Sequence, residues 1–143
     1  MTPPNWSEIV IHHSAELDTP ALNVAAIKRY HVQTLGWLDV GYNVLVEFVE
    51  DDFFAVFGRP EHWAGAHTIG HNTTALGLCF VGNFNLTVPP VAMLAKGAER
   101  VRYWLSIYHI PATAIHRHSE FNATDCPGKL FPWDKFLKLC GGA

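Results

Sequence analysis

Apolar residues fall along this chain in short blocks separated by polar and glycine- or proline-bearing turns. The first block, Glu8–Ser14 (EIVIHHS), is β-branched and lacks polar alternation, which predicts a strand buried on both faces. From Asp18 to Trp37 the chain reads as a helix: Asp18 or Thr19 can cap it, Pro20 suits its first turn and Gly36 its end. Tyr42–Val49 and Phe53–Gly58 predict two strands joined as a hairpin across the acidic residues 50–52, and Ala75–Phe84 predicts another strand. Pro89–His109 predicts a second helix, with Val91, Leu94, Ala98, Val101, Leu105 and Tyr108 near one apolar stripe and Lys96, Glu99 and Arg100 facing out. Ala114–His118 is a short strand, a long loop runs on through Cys126, and Phe131–Cys140 is a terminal helix. Strands and helices interleave, so the expected class is α/β, with a mixed central β-sheet flanked by helices. No internal repeat, low-complexity tract or linker divides residues 1–143, which predicts a single domain.

Composition narrows the function classes. The 143 residues are 49% hydrophobic and 16% charged, enough to build a core without disulfide staples. A net charge of −3 gives no basic footprint for nucleic acid or an anionic membrane. The N-terminal stretch has no basic region followed by an apolar one, and no apolar run approaches a membrane span. The expectation is a protein made in the cytoplasm without a signal peptide. The three cysteines do not form a disulfide framework. Cys79 reads as a buried thiol and Cys140 as an incidental tail residue.

The nine histidines change the picture, because most of them gather in three short stretches. Histidine is the commonest metal ligand and titrates near neutral pH. His12 or His13 at the end of the first strand, one histidine of His116-Arg117-His118, and Cys126 can together supply three ligands. Zinc takes such imidazole and thiolate donors, and a three-ligand site leaves a position open for catalysis. The gap from His118 to Cys126 suits a strand-end ligand and a loop that curls back, with Pro127-Gly128 allowing the turn. Two other readings stay open on the residues alone: a thiol nucleophile with a distant histidine base, and histidines with no chemistry at all. Spacing does not say which histidine of each pair points inward, because neighbours on a strand face opposite ways.

Five motifs occur together and in order: VIHHSA, GWLDVGYN, GRPEHWAGAHTIGHN, LGLCFVGNF and HSEFNATDCPG. In this the chain resembles the type 2 N-acetylmuramoyl-L-alanine amidases, a family that includes small phage amidases and the animal peptidoglycan-recognition proteins. The resemblance runs from about Ile9 to the terminal helix. It implies one Zn2+ ion held by His12, His118 and Cys126, and a catalytic tyrosine at Tyr42. The phage branch carries a lysine two residues before the ligand cysteine; this chain has Thr124, as in the recognition-protein branch, and a hydroxyl without charge takes that place. His31, Asp39, Arg59, His67 and Glu120 are further candidates. His31 and Glu120 would orient ligands, Arg59 would bind a stem-peptide carboxylate, and His67 or His116 would assist at the cleft. Trp37, Trp63 and Phe84 are candidate groove residues.

The resemblance implies zinc-dependent hydrolysis of the amide between N-acetylmuramic acid and L-alanine in peptidoglycan. A lone catalytic domain with no separate wall-binding domain suggests a monomeric phage or prophage endolysin that reaches the cell wall after the membrane is breached. The competing expectation is a non-catalytic peptidoglycan-binding module of the same fold, or a regulatory binding protein. Binding-only members of the recognition branch commonly lack the cysteine, whereas this chain has both Cys126 and Tyr42.

Overall fold

The computed structural model describes residues 4–16 and 23–141. Five strands form one sheet: β1 (Glu8–His13), β2 (Val44–Val49), β3 (Asp52–Phe57), β4 (Ala75–Phe80) and β5 (Ile115–Arg117), in the order β3-β2-β4-β1-β5. β1 runs parallel to both β4 and β5, and β2 parallel to β4; only β3 is antiparallel, at one edge. This is the expected mixed sheet. The β2–β3 turn is tight because Glu50 and Asp51 both take positive φ, 49° and 67°, as a two-residue hairpin turn matching strand twist requires.

The apolar runs of β1 and β4 lack polar alternation because both faces of the sheet are covered. On one face Ile9, Ile11, Val44, Val46, Leu76, Leu78 and Phe80 pack against α2 (Val91–Ile107) and α3 (Trp133–Leu139) in the main core. The other face carries a smaller cluster of Val24, Val40, Leu45, Cys79 and Val81, with Val24 supplied by α1 (Val24–Arg29). Replacing a fully buried leucine such as Leu78 by alanine would cost about 2–5 kcal/mol.

The helices depart from expectation in detail. Asp18, Thr19 and Pro20 lie outside the described residues; the described helix is capped by Asn23, whose side chain accepts from Ala26 N–H at 3.1 Å. α1 then widens into a π turn over Tyr30–Thr34, and Gly36, at φ +75°, reverses the chain. In α2 the buried stripe is Met93, Leu94, Gly97, Ala98, Val101 and Trp104, rotated from the expected one, so Val91 is exposed and Leu105 and Tyr108 only half-buried. Trp104 anchors that rotation: its ring is fully buried and its Nε1–H donates to Glu61 at 2.7 Å. Cys140 is buried in the main core rather than incidental, because it closes the last turn of α3. Among the described residues no helix is long and apolar enough to cross a membrane.

Candidate metal centre

β1 delivers two consecutive histidines to opposite faces of the sheet. His13 turns towards Phe84, whose N–H donates to its Nδ1 at 3.1 Å. His12, 1% exposed, turns to the face of Gly77 and Cys79, of which Cys79 is its partner in parallel register. β5 leads directly into a short 3-10 turn, His118–Glu120, that brings His118 beside it, with ring centroids 4.5 Å apart. The following loop returns so that Cys126 Sγ accepts the His13 N–H at 3.3 Å and lies 3.7 Å from His12 Nδ1. One ligand atom from each of His12, His118 and Cys126 thus lies within 4.8 Å of the other two.

Hydrogen bonding dictates which nitrogen each histidine presents. His67 Nε2 sits 3.0 Å from the carbonyl of Ala75, which can only accept, so His67 carries its proton there. Burial, with smaller contributions from His118, Arg59 and His71, brings the His67 pKa down to about 4 against the Ala75 bond, so at neutral pH its Nδ1 is a bare acceptor. His12 Nε2, 3.0 Å from that atom, is therefore the donor. That leaves the lone pair of His12 on Nδ1, the atom facing Cys126. Burial and the surrounding histidines hold His12 well below its ordinary pKa, and burial lowers His118 against its bond to Asn122. Burial pushes the Cys126 thiol up to about 12.

Two neutral imidazoles and a thiol that ionises on binding form a donor set suited to zinc with one position left open, and the bond from His12 to His67 is the outer support such ligands need. The His67 ring is held in a narrow slot. A Cβ at Gly65 or at Gly77 would each come within 2.6 Å of its Cδ2. Asn72 closes the loop above, its Oδ1 accepting the N–H groups of His67 and Thr68 at 2.8 and 2.9 Å.

His118 lines a cleft of about 470 Å3 together with His31, Trp37, Tyr42, His67, Thr68 and Thr124, among others, while His12 and Cys126 are buried against it. Tyr42 lies 5.0 Å from the His12 ring, and burial beside Cys79 and Cys126 raises its phenol well above the ordinary value. It is a neutral hydroxyl, able to donate. Thr124 Oγ1 accepts the Cys126 N–H at 3.2 Å, which leaves its own hydrogen for the cleft.

Not every candidate is at the centre. His31 stands on the cleft wall, its Nδ1 accepting Gly41 N–H at 3.0 Å and its ring 4.7 Å from Trp37; it shapes the turn leading to Tyr42 and touches none of the three donors. Arg59 braces the fold: Nε, Nη1 and Nη2 donate to the carbonyls of Val40, Ala64 and Asp39 at 3.0–3.1 Å, and it does not line the cleft beside His118. Glu120 turns back to the Arg117 N–H and to His116 Nδ1 at 3.1 Å. Asp39 pairs with Lys28 at 3.4 Å. Trp37 lines the cleft, Phe84 is core, and Trp63 is half-buried beside His62. Residues at the site that carry no signal of their own in the sequence are Thr68, Asn72, Asn122 and the buried Asn43, whose Oδ1 accepts Gly77 N–H at 2.9 Å and ties β2 to β4 under the site.

Comparison with known proteins places this geometry. The sequence profile of the N-acetylmuramoyl-L-alanine amidase family matches residues 2–129. The human N-acetylmuramoyl-L-alanine amidase is 37% identical over 114 residues, 76% of this chain and 19% of that protein, so the chain spans about a fifth of that relative's length. The solved endolysine N-acetylmuramoyl-L-alanine amidase LysCS from Clostridium intestinale is similar with a TM-score of 0.81 at 27% identity, covering 99% of this chain and 90% of the other. Peptidoglycan recognition protein-LE, solved in complex with tracheal cytotoxin, a monomeric diaminopimelic acid-type peptidoglycan, is similar with a TM-score of 0.77 at 27% identity, covering 94% and 84%.

Proposed function

Because the chain belongs to the N-acetylmuramoyl-L-alanine amidase family, we propose that it hydrolyses the amide between N-acetylmuramic acid and L-alanine of peptidoglycan, using one zinc ion held by His12, His118 and Cys126. The observation that carries this reading is the convergence of those three donors, with His118 lining a cleft. When bound, zinc supplies Lewis acidity, bringing the pKa of a water towards about 7 and polarising a carbonyl oxygen.

The chain's own residues do the rest. Burial keeps His12 neutral, and His67, by accepting its Nε2–H, aims the His12 Nδ1 at the donor cluster. Tyr42, unionised near neutral pH, donates a hydrogen bond to the oxygen that gains charge as the amide carbonyl is attacked, and Thr124, which lines the same cleft, adds a second. A well-placed donor of this kind contributes about 2.7–4 kcal/mol to the transition state. Trp37 and His31 give the cleft an aromatic wall for the substrate.

The similarity to a clostridial endolysine and to a recognition protein solved with a peptidoglycan fragment supports peptidoglycan as the partner. In this reading the protein acts on the cell wall as a monomeric endolysin of phage or prophage origin. The test is digestion of purified sacculi by zinc-loaded protein. New L-alanine amino termini without new reducing sugar ends are expected, and Cys126→Ser abolishes them. Co-sedimentation with sacculi but no released amine would leave only a binding module and overturn the proposal.

A further inference from the structure

The metal histidine His118 has an outer partner that neither the motif nor the usual carboxylate rule points to. Asn122 lies one turn beyond it, and three contacts define how its amide is oriented. Oδ1 accepts the Ile69 N–H at 3.1 Å, and Nδ2 donates to the carbonyls of Ile69 at 3.2 Å and Phe121 at 2.8 Å. Only an oxygen satisfies the first and only a nitrogen the other two. Oδ1 is therefore also the atom 2.8 Å from His118 Nε2, and His118 must carry its proton on Nε2 and its lone pair on Nδ1.

We propose that Asn122 is a positioning residue that holds His118 in the Nε2–H form with Nδ1 free for the metal, and at the same time pins that ligand to the cleft wall at Ile69. The proposal rests on the zinc reading above. Two features make the pin effective. Ile69 follows His67 and Thr68 in the chain, so one amide joins the segment supporting His12 to the segment carrying His118. Phe121, next to Asn122, is stacked 3.8 Å from His71 and lies edge-on to His116 at 4.9 Å, which fixes where the amide can reach. His12 and His118 are thus each set by a neutral polar partner rather than a carboxylate.

Two variants of the full chain separate the work of the amide oxygen from that of its nitrogen. Asn122→Ala removes both. Asn122→Asp keeps an oxygen for His118 Nε2–H and for Ile69 N–H but loses the donations to the Ile69 and Phe121 carbonyls. Zinc affinity, read by competition with a chelator, is expected to fall about 10–100-fold in Asn122→Ala and to stay near wild type in Asn122→Asp. Nitrogen-15 spectra of metal-free wild type are expected to show His118 as the Nε2–H tautomer. Unchanged affinity in Asn122→Ala, equal losses in both variants, or an Nδ1–H tautomer in wild type would each overturn the proposal. Should Asn122→Ala fail to fold, the tautomer and the Asn122→Asp affinity still decide it. A wild type that binds no zinc would instead refute the metal reading, while the tautomer of His118 would still decide for or against Asn122.

Discussion

Gly77→Ala tests whether the support behind His12 matters without touching a ligand. Gly77 lies inside β4, and the added methyl carbon would sit 2.6 Å from His67 Cδ2 and 2.8 Å from Cγ and Nε2. Ordinary contact begins near 3.4 Å, so the ring must give by 3.4 − 2.6, about 0.8 Å. It has no easy direction. Nε2 is bonded to Ala75 O and Nδ1 to His12 Nε2, both at 3.0 Å, and Gly65 stands against the same Cδ2 edge. A shift of that size cannot keep both bonds in good geometry. Overpacking of a buried site costs about 1–3 kcal/mol, against a gain of about 0.4–1 kcal/mol from the reduced freedom of the unfolded chain. Net destabilisation in urea titrations of the metal-free protein is expected, together with zinc binding about 10–100-fold weaker because the partner of a ligand histidine is displaced. A Gly77→Ala protein as stable as wild type, with unchanged zinc affinity, would refute the slot and its link to the metal centre.

Other residues give independent checks. Tyr42→Phe removes one hydroxyl and should lower kcat by about 10²–10³ with little change in KM, measured on a soluble muramyl peptide; an equal rise in KM would make Tyr42 a binding residue instead. Glu61 accepts Trp104 Nε1–H at 2.7 Å and Tyr108 O–H at 2.6 Å, so Glu61→Ala strands the donor of a fully buried tryptophan. A loss of about 1–3 kcal/mol in chemical unfolding is expected, and the Tyr108 phenol, pushed up to about 12 by burial and that carboxylate, should titrate lower in an ultraviolet titration. Burial pulls the Glu8 carboxyl upwards, but bonds from His71 and Thr74 outweigh it and leave the pKa below its ordinary value of 4.5. A depressed carboxylate stabilises the fold above the unfolded pKa and loses that contribution as pH falls through the folded one. Wild type should therefore exceed Glu8→Gln in stability near neutral pH, with the gap closing below pH 4.5; a gap that widened in acid would contradict the assignment.

What was legible in the sequence follows the physics of each segment. β1 and β4 are readable because a strand covered on both faces needs an unbroken β-branched or leucine run, and the glycine and cysteine in β4 mark where His67 and Tyr42 need room. The α2 stripe is rotated from its apolar periodicity because Val91 and Leu105 count as apolar in any pattern. Burial goes instead to Trp104, whose indole has Glu61 as a partner from a distant loop. The choice of His12 over His13 depends on strand register, which periodicity does not give and the family resemblance does. Arg59 and Glu120 look like site residues because they are charged and close in sequence to motif residues, yet carbonyls claim all three Arg59 donor atoms and a turn claims Glu120. Asn122 and Thr68 stay hidden for the opposite reason: neutral side chains carry no mark of metal chemistry, and Thr68 reaches His12, and Asn122 reaches Ile69, only once distant loops are brought together.

The central claim is that His12, His118 and Cys126 together hold one zinc ion, and the zinc absorption edge of the purified protein tests it most directly. One zinc per chain is expected, with a single sulfur near 2.3 Å and lighter ligands near 2.0–2.1 Å, the sulfur shell vanishing in Cys126→Ser. A shell of nitrogen and oxygen alone in wild type, or a sulfur shell that survives Cys126→Ser, would contradict it.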